Sequence, residues 1–304
     1  MNSASKQRRR LGNMNLNFFW QRITGQRPVV HDQDRLLASL LQLAWAVEAR
    51  DPYTGGHLWR VSQFAKLLAE SAGLPAAEVS HIVIGGFLHD LGKIGIPDAI
   101  LGKKDKLTDD EYAVIKTHPE IGMRMLAGHP LVALASDAIL FHHEMPDGLG
   151  YPYGKAGEDI PVVARIVGIC DAFDAMTSSR PYRAGMPIEK ALSIIESQLG
   201  RQFDAYWGSA FLRLNDGAAL SHIVGQSDQG IPLQRCVSCG PVIVRSRQAA
   251  EAEPLYCPAC HSEYFVAPSG SGLVATGARN AARALAPRPD TGLINRLVSA
   301  HHLV

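Results

Sequence analysis

Residues 89–97 read H-D-L-G-K-I-G-I-P. The stretch closes a helical candidate over residues 76–92 and sets an imidazole, His89, beside a carboxylate, Asp90, just before Gly92. Helical patterning extends in both directions from it. Gln33 to Glu48 carries Leu37, Leu40, Leu41, Ala44 and Trp45 on one face, and Asp51-Pro52 breaks the pattern. A second helix fits Gly56 to Ala72 and stops at Gly73. Residues 108–127 have Thr108 as a cap and Asp109, Asp110 and Glu111 in the first turn. Residues 131–144, 162–178 and 187–200 complete the set, with Pro187 at a first-turn position and a Gly/Pro/Tyr-rich loop over 145–161. Strand signals are scarce before residue 230, so residues 31–225 are expected to form an all-α domain.

Five of the twelve histidines fall at chain positions suited to metal binding. His57 begins a helix, His89 ends one beside Asp90, His118 precedes Pro119, and His142 and His143 stand together before the Gly-rich loop. Asp171 lies within a later helix. Imidazole nitrogens suit Zn, Fe, Mn or Co, and a carboxylate has two oxygens with which to bridge two ions. Five histidines and two aspartates suffice for a two-metal site with positions left for water and substrate. Taken singly, each is weak: a lone helical histidine is more often structural, and His31, His81, His129, His222, His301 and His302 are read that way.

In combination the order is specific. The chain reads D-P-Y-T-G-G-H-L-W-R-V (51–61), H-D-L-G-K-I-G-I-P (89–97), H-P-E-I-G (118–122), H-H-E-M-P-D-G-L-G-Y-P (142–152) and I-C-D-A-F-D-A-M-T-S-S-R-P-Y-R (169–183). It resembles the HD superfamily of metal-dependent phosphohydrolases, and within it the HD-GYP branch of cyclic di-GMP phosphodiesterases, over residues 31–215. The resemblance implies an HD-type helical bundle. It implies that His57, His89, Asp90 and Asp171 hold one metal, and that Asp90, His118, His142 and His143 hold a second, with Asp90 bridging. Lys93 is implied as a catalytic and phosphate-contacting residue beside Asp90, and Arg180 and Arg183 as further phosphate ligands. Gly150, Tyr151 and Pro152, with Asp147 and Gly148 in the same loop, are implied to shape the substrate cleft. Some family members carry an additional acidic ligand that supports a third metal. Tyr53 stands there in this chain, which favours two ions, expected as Fe or Mn.

The reaction so implied is hydrolysis of cyclic di-GMP to linear pGpG by a two-metal-activated hydroxide, with further cleavage to GMP left open. Two alternatives stay open: an HD hydrolase of another nucleotide, and a non-catalytic cyclic di-GMP sensor or scaffold. Cys170 reads as a packing residue, and Asp174 and Arg165 as residues that orient ligands or pair with each other.

The cysteines mark a second unit. Cys236-x-x-Cys239, 17 residues, then Cys257-x-x-Cys260 is zinc-ribbon spacing, with short β-prone runs at 242–244 and 264–266. One structural zinc is expected there, with His261 a bystander and a redox role as the alternative. The expected organisation is a basic arm over 1–30, the catalytic domain over 31–225, a small β zinc ribbon over 226–267 beginning with a linker at 226–232, and a flexible tail over 268–304 with a helical stretch at 275–286.

Paired C-x-x-C motifs point to a reducing compartment, hence the cytoplasm. No apolar run is long enough for a transmembrane helix, and the net charge of +1 argues against nucleic-acid binding. That average conceals segregation: residues 1–30 hold six basic residues and no acid, whereas residues 31–266 hold 20 basic and 28 acidic residues. Protein partners through the ribbon or tails, and a homodimer, stay open.

Overall fold

The computed structural model describes residues 32–301, apart from 52, 104, 180–182, 218, 248–252, 268–271 and 287–288. The basic arm and Arg180 therefore lie outside the described residues. As expected, the chain is mainly α-helical, with small antiparallel sheets confined to its C-terminal part.

Helix α1 (Asp32–Glu48) buries Leu37, Leu40, Leu41, Ala44 and Val47, the apolar stripe visible in its sequence. Helix α2 (His57–Ser71) is buried along most of its length, including Arg60 and His57. Helix α3 (Ala76–Leu88) packs along α2 and ends immediately before His89. A 3-10 turn over Leu91–Gly95 and the short helix α4 (Asp98–Leu101) follow.

The single helix expected over 108–127 is two helices, α5 (Asp109–Ile115) and α6 (His118–Met125). Pro119 lies in the first turn of α6, where its missing N–H costs nothing, so the chain restarts there. Thr108 and Glu111 form the capping box of α5. Helix α7 (Ser136–Phe141) carries the chain to His142. Helix α8 (Val162–Thr177) runs through the core, burying Ile166, Val167, Ile169, Cys170 and Phe173. Helices α9 (Ile188–Ser197) and α10 (Ala205–Arg213) close the bundle. Phe64, Phe173 and Phe211 join α2, α8 and α10 through edge-on contacts with centroids 5.0–6.4 Å apart.

The expected linker at 226–232 instead pairs as strands β1 (Gln226–Asp228) and β2 (Ile231–Pro232). Strands β3 (Gln234–Arg235) and β4 (Val242–Ile243) flank the first cysteine pair. Strands β5 (Leu255–Tyr256) and β6 (Ser262–Val266) flank the second. The tail departs most from expectation. Leu273–Arg279 is strand β7, added antiparallel to β6, rather than part of a helix. After the short helix α11 (Ala281–Ala284), helix α12 (Thr291–Ala300) lays Leu293, Ile294, Leu297 and Val298 into the main core against α1. The apolar i, i+1, i+4, i+5 spacing of those residues gives α12 one greasy face, which must be covered. Among the described residues no helix is long and apolar enough to cross a membrane.

Candidate metal centre

Six of the seven expected ligands sit at helix ends, where short side chains project into one space. His57 opens α2, His89 and Asp90 follow α3, His118 opens α6, and His142 and His143 follow α7; only Asp171 is inside a helix, α8. The approach of these ends depends on Gly92. A Cβ there would lie 1.8 Å from the carbonyl oxygen of His118, so only glycine lets the turn after Asp90 rest on α6.

Donor atoms of His57, His89 and Asp171 converge within 4.8 Å of one another, as do those of His118, His142 and His143. Asp90 lies between the two sets. Its Oδ2 is 3.4 Å from His89 Nε2 and 3.6 Å from His57 Nε2, and its Oδ1 is 3.5 Å from His118 Nε2. Each carboxylate oxygen thus faces a different set. Asp171 Oδ1 is 3.4 Å from His57 Nε2 and 3.9 Å from His89 Nε2.

Tautomers follow from what holds each ring. His89 Nδ1 donates to the Gly86 carbonyl, His118 Nδ1 to Ile115, and His142 Nδ1 to Ala138, each at 2.8 Å; His57 Nδ1 donates to Asp174 Oδ2 at 2.7 Å. With Nδ1 held by these acceptors, the rings turn Nε2 toward the shared space, the nitrogen that offers a lone pair to a metal. Burial pushes His118 down to about 4 and His143 down to about 3, and lowers His142 as well. The Nε2 atoms of His118 and His142 then face each other as two lone pairs 3.2 Å apart, and His89 Nε2 is buried without a hydrogen-bond partner. Such an arrangement is unfavourable alone and is relieved by cations. The residues therefore fit divalent ions in two adjoining sets.

The carboxylates are held ionised. Burial acts against the charge on Asp90, but Lys93 and His89 bring it well below the usual carboxylate range; Lys93 Nζ lies 2.6 Å from Asp90 Oδ2. Burial likewise opposes ionisation of Asp174, and the Arg60 guanidinium overcomes it. His57 is raised to about 9: burial lowers it, and its hydrogen bonds to Asp174 and Asp90 more than compensate.

Asp174 pairs with Arg60 and His57, whereas Arg165 pairs with Asp204. Asp174 and Arg165 thus do not pair with each other. Only Asp174 orients a candidate ligand. Arg183, expected at a substrate phosphate, donates from Nη2 to the carbonyls of Ala175 and Met176 near the end of α8, the second of which also accepts from the Met186 N–H. Cys170 is buried and its thiol is raised well above its ordinary value by burial.

The loop over 145–161 folds back on the site. Tyr151 stacks on His143 at 4.7 Å, and Glu144 accepts from the backbone N–H of Tyr153 and Lys155. Gly150 lies against the backbone of residues 143–145. A cleft of about 720 Å³ opens beside Lys93, lined by Tyr53, Lys103, Lys106 and Tyr112 among others.

Three supporting residues escaped the sequence reading. Arg60 is the partner of Asp174. Glu48 accepts from the N–H groups of Gly56 and Leu58, holding the start of α2. Glu144 pins the loop. Arg60 had a signal, a charged residue one turn after His57 within a run that is otherwise apolar or small.

The four cysteines also cluster, with Sγ atoms of Cys236, Cys239, Cys257 and Cys260 within 4.8 Å of one another. Cys236–Cys260 and Cys239–Cys257 are 3.5 Å apart and Cys236–Cys239 3.6 Å. A tetrahedron with Zn–S bonds of about 2.3 Å has edges of roughly 3.8 Å, close to these separations. Burial opposes ionisation of Cys236, but the Tyr264 hydroxyl and the N–H groups of Cys239 and Ser238 bring it down to about 6. The donor set fits one thiophilic ion.

Comparison with known proteins agrees with this geometry. The HD domain model, HD_5, matches residues 35–206. Over 208 residues the chain is 43% identical to the cyclic di-GMP phosphodiesterase response regulator RpfG of Xanthomonas campestris pv. campestris, covering 68% of this chain and 54% of that protein. It is 40% identical over 184 residues to a cyclic di-GMP phosphodiesterase of Thermotoga maritima, covering 60% of this chain and 50% of the relative. It is also 40% identical over 159 residues to the 3'3'-cGAMP-specific phosphodiesterase 3 of Vibrio cholerae, covering 52% and 34%. The chain thus spans about half or less of the length of these relatives. With the H…HD…D residues gathered in one site and the family model spanning more than half of its length, the chain belongs to the HD domain family.

Proposed function

We propose that the chain is a metal-dependent phosphodiesterase of the HD-GYP type that opens cyclic di-GMP to linear pGpG. The observation that carries this reading is the pairing of two ligand sets across Asp90, each of whose oxygens faces a different set. Two divalent ions bound there, Fe or Mn in this reading, would supply Lewis-acid charge stabilisation at phosphorus and lower the pKa of a water at neutral pH.

The chain's own residues do the rest. Asp174 holds the His57 ring with Nε2 toward the site. Lys93, with its side chain partly exposed beside Asp90, faces the cleft and places an ammonium where an anionic phosphodiester arrives. The Tyr151 phenol is raised by burial, remains protonated, and offers a hydrogen-bond donor over His143. The cleft has the volume for a nucleotide-sized ligand. A structural zinc in the cysteine cluster and cytoplasmic operation belong to the same reading.

The names of several relatives support cyclic di-GMP as the substrate, and others act on 3'3'-cGAMP, so both belong in the test. Purified chain loaded anaerobically with Fe or Mn is incubated with each dinucleotide and the products are chromatographed. Conversion of cyclic di-GMP to pGpG is expected. Turnover of 3'3'-cGAMP alone would reassign the substrate, and tight binding without turnover would make the chain a sensor.

A further inference from the structure

The cysteine-bearing unit packs directly on the loop that delivers His57. Gly55 lies against β4 and the residue that follows it, so that a Cβ there would fall 3.4 Å from Val242 Cγ1 and 2.5 Å from Val244 Cγ2. Tyr53, in the same loop, has its phenol raised by burial and then by negative charge on Cys239, Asp51 and Cys257.

A second connection runs through Arg60, which is 1% exposed. Its guanidinium has five N–H donors and makes five hydrogen bonds. Nε and Nη2 grip the two oxygens of Asp174 at 2.6 and 3.0 Å, and Nη2 also reaches Ser178 at 3.1 Å. Nη1 donates to the carbonyls of Gly55 at 3.1 Å and Gln226 at 2.9 Å. Gln226 begins β1, and Asp228 at its end is bound by Arg247, beyond β4, and by Arg296 of α12. One side of the fork therefore holds the carboxylate that orients His57. The other holds both the loop before His57 and the strand that leads into the cysteine unit. Nothing in binding a metal at His57 requires this second side.

We propose that Arg60 is a positioning residue that couples occupancy of the four-cysteine site to the ion held by His57, His89 and Asp171. The proposal rests on the reading of both clusters as metal sites. An ordered cysteine unit holds β4 and β1 in place. These hold Gly55 and Gln226 against Arg60, and Arg60 fixes Asp174 and hence the His57 ring. Among the described residues, Arg60 bonds none of His118, His142 and His143, and that set is the internal control.

The test is manganese binding by the full chain, stripped of weakly held ions and titrated calorimetrically with Mn2+, with zinc content measured separately. The wild type is expected to bind two Mn2+. Arg60→Lys keeps the charge but lacks the fork. It and Cys257→Ser should each weaken one of the two sites by about 10–100-fold and leave the other unchanged, as for loss of an outer-shell partner. Combining them should cost no more than the worse single change. Gly55→Ala keeps every thiol and presses on β4, and should weaken the same site, so a Cys257→Ser chain that misfolds does not decide the matter. Wild-type affinity at both sites in Cys257→Ser and Gly55→Ala, or fully additive losses in the double variant, overturns the coupling. A wild type that binds no Mn2+ at all, with zinc retained, instead overturns the reading of the histidine cluster.

Discussion

Asp90→Asn separates a bridging carboxylate from one that serves a single ion. The substitution is nearly isosteric and removes no apolar burial, so the helices around it should persist. It replaces a charged oxygen by a neutral amide at a point 3.4 Å from His89 Nε2 on one side and 3.5 Å from His118 Nε2 on the other. Loss of an outer-shell partner in a metal site costs about 10–100-fold in affinity. A carboxylate that itself faces both ligand sets should cost more than about 100-fold at each, or ~2.7 kcal/mol per site. Lys93, 2.6 Å from the same carboxylate, would add to the deficit by placing an ammonium beside ions that no longer have a counter-charge. Elemental analysis after gel filtration should therefore fall from two ions per histidine cluster to none, with turnover lost and the far-UV circular dichroism unchanged. His118→Ala, which touches one set, should leave one ion. Retention of one tightly held ion in Asp90→Asn would show that Asp90 belongs to a single site and would refute the bridging assignment.

Further outcomes are expected elsewhere in the molecule. Gly150→Ala places a Cβ 2.4 Å from the Met145 nitrogen and 2.6 Å from the His143 carbonyl oxygen, so the loop must move off His143. Overpacking of this kind costs about 1–3 kcal/mol, and KM should rise more than kcat falls; unchanged kinetics and Tm would contradict it. Ile294→Ala, at a fully buried position of α12, should destabilise by about 2–5 kcal/mol. At roughly 2–4 °C per kcal/mol the fall in Tm is easily read by calorimetry; no change would mean that α12 does not pack on α1.

In metal-stripped protein, His118 and His143 resist protonation in the fold, at about 4 and 3, so stability is lost as pH falls below about 6.5 toward those values. His57, raised to about 9, acts oppositely, stabilising below 6.5 and losing that contribution as pH rises through 9. Tm of the stripped protein should peak near neutrality, and a Tm that climbs steadily on acidification would refute this.

The sequence alone determined the helical class of residues 31–225, the identity of the seven candidate ligands and the cysteine quartet, because each is a local signal. Helical periodicity is written in apolar spacing, and metal chemistry in the types and order of His, Asp and Cys. It did not place the restart at Pro119, where one expected helix proved to be two, or the need for glycine at 92, which is set by the His118 carbonyl packed against it.

Tertiary structure decided what depends on partners distant in the chain. Arg60 and Asp174 lie 114 residues apart, so nothing local marks them as a pair, and Arg165 found Asp204 instead. Arg183 bonds carbonyls in the last turn of α8. The C-terminal segment, expected as a flexible tail with a helical stretch at 275–286, became β7 and α12 because an open edge of β6 and an uncovered face of α1 were there to receive them. A strand edge and an apolar face are properties of the assembled fold, and only the fold says which segment satisfies them.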